Sequence, residues 1–147
     1  MKIIDLGAGD PRLDTDLFPV LRELRPHLTG ELFRQVCERG HGQGLRFTAG
    51  YADDGACVAA AGWRIVDTTS TVRKLYVDDL VTSGSARSTG VGRAMLDHLE
   101  AHARAAGCYE FSLDSGTHRT GAHRFYLRER FDITAFHFTK ELKPLEG

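Results

Sequence analysis

The sequence predicts a mixed α/β protein, in which helices cover both faces of one β-sheet. Segments of helical and strand periodicity interleave in the order α-α-β-β-β-α-β-α-β, with a further short strand at residues 2–6. The chain has 147 residues, 41% of them hydrophobic, which suffices for the core of one domain of ordinary size. No internal repeat or low-complexity linker divides it, so we expect a single domain over residues 1–147.

Composition and charge argue against several classes of function. The net charge is −1, from nineteen basic and twenty acidic residues, so no nucleic-acid or membrane surface is predicted. No apolar run approaches the length of a membrane span. The N-terminal MKIIDLGAGDPRLD has acids and a proline where a signal peptide needs an apolar core. We therefore expect a cytoplasmic protein.

Two helices are predicted in the first third of the chain. Leucines recur at helical spacing over residues 13–28, and Asp14 or Thr15 is placed to cap this helix. These leucines are Leu17, Leu21, Leu24 and Leu28. The next segment, TGELFRQVCERGHGQG, carries an apolar face and ends in glycines.

Three strands follow. The segment LRFTAGYAD alternates apolar and polar positions, as a half-buried strand does. Residues 53–55 read DDG, which indicates a hairpin turn into a partner strand, ACVAAAGWRIV. The segment TTSTVRKLYVDDLVTS contains the third strand, with its core near Leu75 to Val81.

The second half of the chain begins with a helix predicted from Gly90 to Ala106 and closed by Gly107. Its apolar stripe is Val91, Met95, Leu99, Ala103 and Ala106. Next come a strand in CYEFSLDSG, alternating Tyr109, Phe111 and Leu113, a short helix in RTGAHRFYLRERF, and a final strand in DITAFHFTKEL.

The three cysteines, Cys37, Cys57 and Cys108, are an odd number and widely spaced. No C-x-x-C pair occurs, so neither a disulfide framework nor a zinc knuckle is predicted. Each has apolar neighbours, and we expect buried, reduced thiols.

The stretch SARSTGVGRAML, residues 85–96, precedes the long helix and is a candidate anion site. A helix N-terminus offers free backbone N–H groups, and Gly90 and Gly92 let them approach a phosphate. Arg87 and Arg93 supply positive charge. From the loop alone, a simple glycine turn is as good an interpretation. The dinucleotide fingerprint is not met, because Ala94 and Met95 follow the second glycine.

The neighbouring sequence gives this loop a context. YVDDLVT…ARSTGVGRAML resembles the acetyl-CoA-binding core of the GNAT acetyltransferase superfamily, and GAHRFYLRERFDITAFHFTKEL resembles its closing segment. The likeness covers nearly the whole order of elements and is most specific from Leu75 to Leu142. The last third further resembles aminoalkylphosphonate N-acetyltransferases. Arg119 stands where asparagine is usual, and Arg130 where the family has glycine, which predicts a locally different turn.

The resemblance implies a mostly antiparallel, splayed sheet flanked by helices, and a site for acetyl-CoA as cosubstrate. The CoA pyrophosphate would lie on the α-helix N-terminus, at Arg87, Ser88, Thr89, Gly90, Val91, Gly92 and Arg93. Leu80, Val81 and Thr82 would pair their backbone with the pantetheine arm. The wedge that admits it would lie between Asp79–Thr82 and Phe111–Leu113.

The implied reaction is acetyl transfer to a primary amine by direct attack on the thioester. Tyr126 is the candidate acid for the leaving thiolate, although an aromatic there also suits a core. Asp79, with Asp78 as second choice, is the candidate base. Adjacent strand residues point to opposite faces unless a bulge intervenes, so one aspartate is expected at the acceptor. Either aspartate alternatively binds an arginine.

Acceptor residues are predicted beside this strand and the next. The candidates for substrate binding are Tyr76, Asp114, His118 and Arg119. Together with Arg119, Arg124 and Arg128 favour an acceptor carrying phosphonate, phosphate or carboxylate, unless they form a solvated helix face. The spacing of His118, His123 and His137 matches no metal motif, so no metal is expected.

Two other classes of function remain open at this point. A non-catalytic CoA-binding or sensing module would share the fold and the loop at Arg87. A protein N-acetyltransferase would need a wide groove for a peptide. A homodimer is also possible, with the final segment AFHFTKEL as its edge.

Overall fold

The computed structural model describes residues 1–87 and 89–145, which form a five-stranded sheet and four α-helices. The strands are β1 (Lys2–Leu6), β2 (Arg46–Tyr51), β3 (Cys57–Thr68), β4 (Val72–Thr82) and β5 (Glu110–Leu113). The helices are α1 (Phe18–Leu24), α2 (Gly30–Gly42), α3 (Val91–Ala105) and α4 (Thr120–Arg128). A π-helical turn, Leu13–Leu17, leads into α1, and a 3-10 turn, Gly84–Ala86, follows β4.

The strands lie in the order β1-β2-β3-β4-β5. The first three pairings are antiparallel, and β5 pairs parallel to β4 because α3 carries the chain back across the sheet. The predicted mixed α/β class, mostly antiparallel with helices on both faces, is confirmed, and the short strand expected at residues 2–6 is β1.

Each face of the sheet has its own hydrophobic core. On one face, α3 packs through Met95 and Leu99 against Leu75 and Val77 of β4. On the other face, α1 and α2 pack on β2 and β3, with Phe33 at the centre of that core. The same strands therefore carry a helix layer on each side.

A β-bulge interrupts the alternation of β4. Gly62 pairs with Asp79 and Trp63 pairs with Val77, so Asp78 is an extra residue without a partner on β3. Before the bulge Val77 packs toward α3, whereas after it Leu80 does. Strand alternation would place Asp78 and Asp79 on opposite faces unless a bulge intervened. The bulge is present, so the two aspartates need not lie on opposite faces.

The first helix is shorter than predicted. It ends at Leu24, because Pro26 disfavours helical conformation at Arg25, whose φ and ψ are −121° and 69°. Neither Asp14 nor Thr15 caps it, since the helical turn already begins at Leu13. The second helix has a side-chain cap: Thr29 Oγ1 accepts a hydrogen bond from the Leu32 amide at 3.1 Å.

The long helix α3 follows its prediction closely. Gly107 closes it with φ +72°, and the Cys108 amide donates to the Ala103 carbonyl at 2.9 Å. Ala106 is only half-buried, at the end of the stripe. The strand predicted around Tyr109 starts one residue later, and the Tyr109 side chain is 79% exposed, so the expected alternation fails at that residue.

The predicted final strand is wrong. Residues 131–145 contain no helix or strand, and no pairing on the outer edge of β5 occurs within the described chain. Five large apolar side chains of this C-terminal segment are 75–92% exposed: Ile133, Phe136, Phe138, Leu142 and Leu145. A strand needs a hydrogen-bonded neighbour, and within the described chain no strand of the sheet pairs with this segment.

The expectation of a different turn at Arg130 is also wrong. Arg130 adopts φ +70°, the left-handed conformation that a glycine would take. The Phe131 amide donates to the Tyr126 carbonyl at 3.0 Å and the Arg130 amide to Leu127 at 3.1 Å, which is the closing pattern of a helix C-terminus. These two bonds hold the arginine in a conformation that it disfavours.

The cysteines are unpaired but not fully buried. Cys37, Cys57 and Cys108 are each half-buried, which corrects the prediction of core thiols. Burial raises the pKa of the Cys37 thiol to about 11, so it is protonated at neutral pH. Separately, no helix among the described residues is long and apolar enough to span a bilayer.

Candidate active site

An opening separates β4 from β5 at one end of the sheet. The parallel pairing runs from Lys74 with Glu110 to Val77 with Leu113 and stops there, although β4 continues to Thr82. Within the described chain, the backbone of residues 78–82 therefore has no strand on its β5 side. The predicted wedge placed Asp79–Thr82 opposite Phe111–Leu113, but Phe111–Leu113 are paired with β4, so the opening begins after them.

Two hydroxyl groups near this opening lack partners. The Oγ atoms of Ser112 and Ser115 are buried and make no hydrogen bond within the described part of the chain. Ser112 pairs with Tyr76 in the last paired stretch, and Ser115 follows two residues after β5. Buried polar atoms are almost always satisfied in folded proteins. Both unpartnered hydroxyls lie in or just after β5, close in sequence to the end of the pairing.

The loop after β4 ends at an uncapped helix N-terminus. Gly90 is the N-cap of α3, with φ +85° and no side-chain cap. The first intrahelical bond is the Ala94 amide to the Gly90 carbonyl, at 3.1 Å, which leaves the amides of Val91, Gly92 and Arg93 without a helical acceptor. Those amides and the helix dipole favour an anion at this point.

The remaining loop residues lie around this N-terminus. Arg87 is exposed, and the Thr89 hydroxyl donates to the Ala86 carbonyl. Arg93 lies 3.8 Å from the Glu129 carboxylate. Ser88, also predicted to bind the donor, lies outside the described residues.

Gly92 has a second role that the sequence did not reveal. A Cβ at this position would lie 3.2 Å from Cζ of Phe125, which belongs to α4. The absence of a side chain therefore lets α4 pack closely over the first turn of α3.

Tyr126 lies in an aromatic cluster that connects α4 to β5. Its ring centroid is 5.3 Å from that of Phe125 and 5.7 Å from that of Phe131, which in turn lies 5.5 Å from Phe111. Burial raises the pKa of the Tyr126 phenol, an effect that the positive charge of Arg119 partly opposes. The hydroxyl is thus protonated at neutral pH and able to donate a proton.

Both aspartates of the β4 bulge bind arginines. Arg25 Nε donates to Asp79 Oδ1 at 2.7 Å, and its Nη2 donates to the Asp78 carbonyl at 3.1 Å. Arg64 Nε donates to Asp78 Oδ2 at 2.9 Å. Both aspartates therefore bind an arginine, which was the alternative interpretation of these residues. No sequence pattern indicates Arg25, which is 54 positions from Asp79 and contacts it only in the folded chain.

The two aspartates share one cavity on the α1 and α2 face of the sheet. It has a volume of about 260 Å³, and its lining includes Arg25, Arg64 and Phe33. Another cavity, of about 430 Å³, lies between the loop after β1 and α2. The smaller cavity is the one that contains the residues of the β4 bulge.

A family model described as the acetyltransferase (GNAT) family matches residues 12–131. The chain belongs to the GNAT family. It is therefore an acyltransferase, and the resemblance noted from its motifs is confirmed. Membership of this enzyme family argues against the alternative of a non-catalytic sensing module.

Curated relatives are N-acetyltransferases. The chain is 32% identical over 124 residues to the uncharacterized N-acetyltransferase YhdJ of Bacillus subtilis, covering 84% of this chain and 87% of that protein. It is 30% identical over 134 residues to glucosamine 6-phosphate N-acetyltransferase 1 of Oryza sativa, covering 87% and 76%. An aminoalkylphosphonate N-acetyltransferase of Salmonella typhimurium is 38% identical over 66 residues, 45% of this chain and 43% of that protein.

The fold agrees with solved structures. Glucosamine-6-phosphate N-acetyltransferase from Arabidopsis thaliana superimposes with a TM-score of 0.75 at 20% identity, over 97% of this chain and 98% of that one. At this identity the match establishes the GNAT fold and nothing finer.

The acceptor-binding residues predicted for this GNAT enzyme are brought together only in part. The Tyr76 hydroxyl donates to Asp114 Oδ2 at 2.8 Å, and His137 Nδ1 lies 3.0 Å from the same oxygen. Burial and the Asp114 carboxylate raise the pKa of Tyr76. His118 and Arg119 lie in the following loop, where the His118 ring packs against Gly116.

Asp78 differs electrostatically from the exposed aspartates of this GNAT enzyme. Burial raises its pKa above the ordinary 3.8, and the Arg64 guanidinium offsets only part of that effect. A carboxylate of raised pKa accepts a proton more readily than an ordinary one. Each of the two aspartates binds an arginine, and Asp78 is the one whose pKa is raised.

The raised pKa predicts how acid affects stability. Because folded Asp78 binds its proton more tightly than the unfolded chain does, the protein gains stability relative to Asp78→Asn as pH falls through the folded pKa toward 3.8. The measurement is the difference in unfolding free energy between the two proteins, by urea titration from pH 7 to pH 3.5.

Asp67 provides a control of opposite sign. Its pKa is lowered by the hydrogen bond from Arg73, so the native protein loses stability relative to Asp67→Asn over the acidic range. A loss at Asp78 on acidification, parallel to that at Asp67, would contradict the assignment of a raised pKa.

Proposed function

We propose that residues 1–147 form one catalytic domain that transfers an acetyl group from acetyl-CoA to a primary amine of a small molecule. The observation that carries this proposal is the early end of the β4–β5 pairing, directly upstream of the uncapped N-terminus of α3. A free strand edge that leads to an anion site suits an extended chain ending in a pyrophosphate.

The residues present fit that donor. The backbone of Leu80, Val81 and Thr82 has no strand neighbour on the β5 side and can pair with the amide groups of pantetheine. The amides of residues 91–93 can bind the pyrophosphate, with Arg87 as an exposed cation beside them. The unpartnered hydroxyl of Ser112 adds a polar group near the opening.

The transfer needs the amine nitrogen to bond to the thioester carbon while the carbon–sulfur bond breaks. The amine releases one proton, and the departing sulfur takes one up. Tyr126 donates a proton to the sulfur, because burial keeps its phenol protonated at neutral pH. A backbone N–H near Leu80 or Val81 polarises the carbonyl. Because binding orders both substrates together, no acylated residue is needed.

Asp78 accepts the proton of the amine, directly or through water. Its raised pKa and its position at the bulge support this role over Asp79. Asp79, bound by Arg25 at 2.7 Å, acts as a positioning residue that fixes α1 against the bulge. Arg64 orients Asp78 through the contact at 2.9 Å.

The acceptor carries an anionic group. Two relatives are named for acceptors that bear phosphonate or phosphate. In this chain Arg119, half-buried at the start of α4, is the arginine whose charge acts on Tyr126. Arg124 and Arg128 lie exposed on the same helix.

The direct test is a turnover screen. Acetyl-CoA is incubated with the protein and a panel of amines, including aminoalkylphosphonates, amino sugar phosphates, neutral amines and N-terminal peptides, and free thiol is measured. Release of CoA above background with a small amine supports the proposal. Release with peptides alone would favour a protein acetyltransferase, and calorimetric CoA binding without any turnover would overturn the enzymatic proposal.

Tyr126→Phe tests the acid. Removing the hydroxyl while keeping the ring should lower kcat by about 100-fold, because the leaving sulfur loses its proton donor. The affinity for CoA, measured by calorimetry, should stay within about twofold. Phe125→Leu is a control that alters the neighbouring ring without touching the hydroxyl. An unchanged kcat in Tyr126→Phe would remove the proposed role.

Arg119→Ala tests the anionic acceptor. We expect KM to rise about tenfold for amines that carry phosphonate or phosphate, since a charge-assisted hydrogen bond contributes roughly 1.5–3 kcal/mol. The KM for neutral amines should not change, because they carry no anionic group for Arg119 to bind. Arg124→Ala, on the exposed face of the same helix, is the matched control. Equal losses for acidic and neutral amines would reject the preference.

The enzyme also forms a homodimer in this proposal. The C-terminal segment leaves Phe136 and Phe138 85% and 92% exposed, and the outer edge of β5 is open within the described chain. Pairing the segment of one copy with the β5 edge of a second would bury those rings and satisfy the edge amides.

Replacing Phe136 and Phe138 by serine tests this arrangement. Light scattering after size-exclusion chromatography should give a dimer for the native chain and a monomer for the double variant. Val72→Ser, which removes an apolar side chain that is 65% exposed elsewhere, should remain dimeric. A monomeric native chain would end the proposal.

A further inference from the structure

Three potential metal ligands meet where β1 lies beside α3, beyond the first turn of that helix. His98 Nε2 lies 2.9 Å from Asp5 Oδ1, and His102 Nε2 lies 2.7 Å from Asp5 Oδ2. All three ligand atoms fall within 4.8 Å of one another. Asp5 belongs to β1, at the far edge of the sheet from β5, so this cluster has no part in the acetyl transfer proposed above.

The helix dictates how the two histidines meet. His98 and His102 are four residues apart on α3, so their side chains lie on one face, one turn apart. Their rings approach edge to face with centroids 5.0 Å apart. Both Nε2 atoms are directed at the same carboxylate.

A chain of contacts orients these ligands. Thr48 Oγ1 donates to Asp5 Oδ1 at 2.7 Å, and Trp63 Nε1 donates to Thr48 Oγ1 at 2.9 Å. Trp63 also stacks on the His102 ring, with centroids 4.9 Å apart. Thr48 is fully buried. Supporting groups of this kind fix the direction of metal ligands in known sites.

We propose that Asp5, His98 and His102 bind one divalent transition-metal ion, of which Zn²⁺ is the best fit. Two imidazole nitrogens and a carboxylate oxygen form a donor set that zinc prefers, whereas Mg²⁺ and Ca²⁺ prefer oxygen alone. Bonds of about 2.0–2.1 Å in a tetrahedral site place ligand atoms about 3.3 Å apart. The observed 2.7 and 2.9 Å would widen by roughly half an ångström.

Access and open coordination agree with this site. The three side chains are 28–43% exposed, so an ion can enter from solvent and keep water as a fourth ligand. The ion would join β1 to α3 through ligands that are 93 and 97 positions apart in the chain. Its role is to stabilise the fold, because it binds the folded chain and not the unfolded one.

Zinc binding to chelator-treated protein tests the site. Calorimetry with ZnCl₂ should give one ion per chain, and Tm should rise at saturating Zn²⁺. His98→Ala and His102→Ala should each weaken binding at least tenfold and abolish the rise in Tm. His41→Ala, which removes an exposed histidine on α2, is the matched control and should bind like the native protein.

Two further measurements separate this site from other ways of binding zinc. Co²⁺ should give visible d–d bands without the near-ultraviolet charge transfer that cysteine thiolates produce. Thr48→Val should weaken Zn²⁺ binding about 10-fold or more through loss of the bond to Asp5, with circular dichroism checking that it folds. Acetyl-transfer rates should be equal with and without the ion, so a failure here leaves the proposed function untouched.

Three outcomes would overturn the proposal. These are no Zn²⁺ binding at micromolar concentrations, binding that survives in both histidine variants, and a Co²⁺ spectrum with thiolate charge transfer. In each case the cluster would be a pair of histidine–aspartate contacts only.

Discussion

The loss of pairing between β4 and β5 is the constraint on which the rest of the site depends. Backbone groups at the edge of a strand must find partners, and within the described chain no strand pairs with residues 78–82 on the β5 side. The bulge at Asp78 lies where that pairing stops, and it turns two consecutive acids into one cavity. The unpaired edge of β4 and the cavity at the bulge therefore meet at this interruption.

The order of elements as far as α4 and the bounds of α3 could be predicted, because each depends on local periodicity and on the glycine that closes the helix. The bulge is expected only as an exception, although the two adjacent acids of VDDLV interrupt the alternation of a regular strand. The partners of its acids were equally hidden: Arg25 and Arg64 reach them across long sequence separations. The final strand was wrong because alternation in AFHFTKEL describes side chains and not whether a neighbouring strand is there to pair.

The histidines give a similar lesson. His118, His123 and His137 lie near the predicted acceptor site in the sequence. Of these three, only His137 contacts an acid, Asp114. The spacing of His98 and His102 on α3 is the better indication of paired histidines, because residues four apart on a helix lie on the same face. Its third member, Asp5, is supplied by a strand at the other end of the chain.

The contact between Gly92 and Phe125 has a consequence for communication between the two halves of the reaction. The glycine lies in the first turn of α3, where we propose that the donor's pyrophosphate binds, and the ring adjoins Tyr126. A shift of that turn on donor binding would reach α4 through this contact and through the ion pair of Arg93 with Glu129. A ligand that displaces α4 would then change the affinity for the donor by the same free energy with which the donor changes the affinity for that ligand.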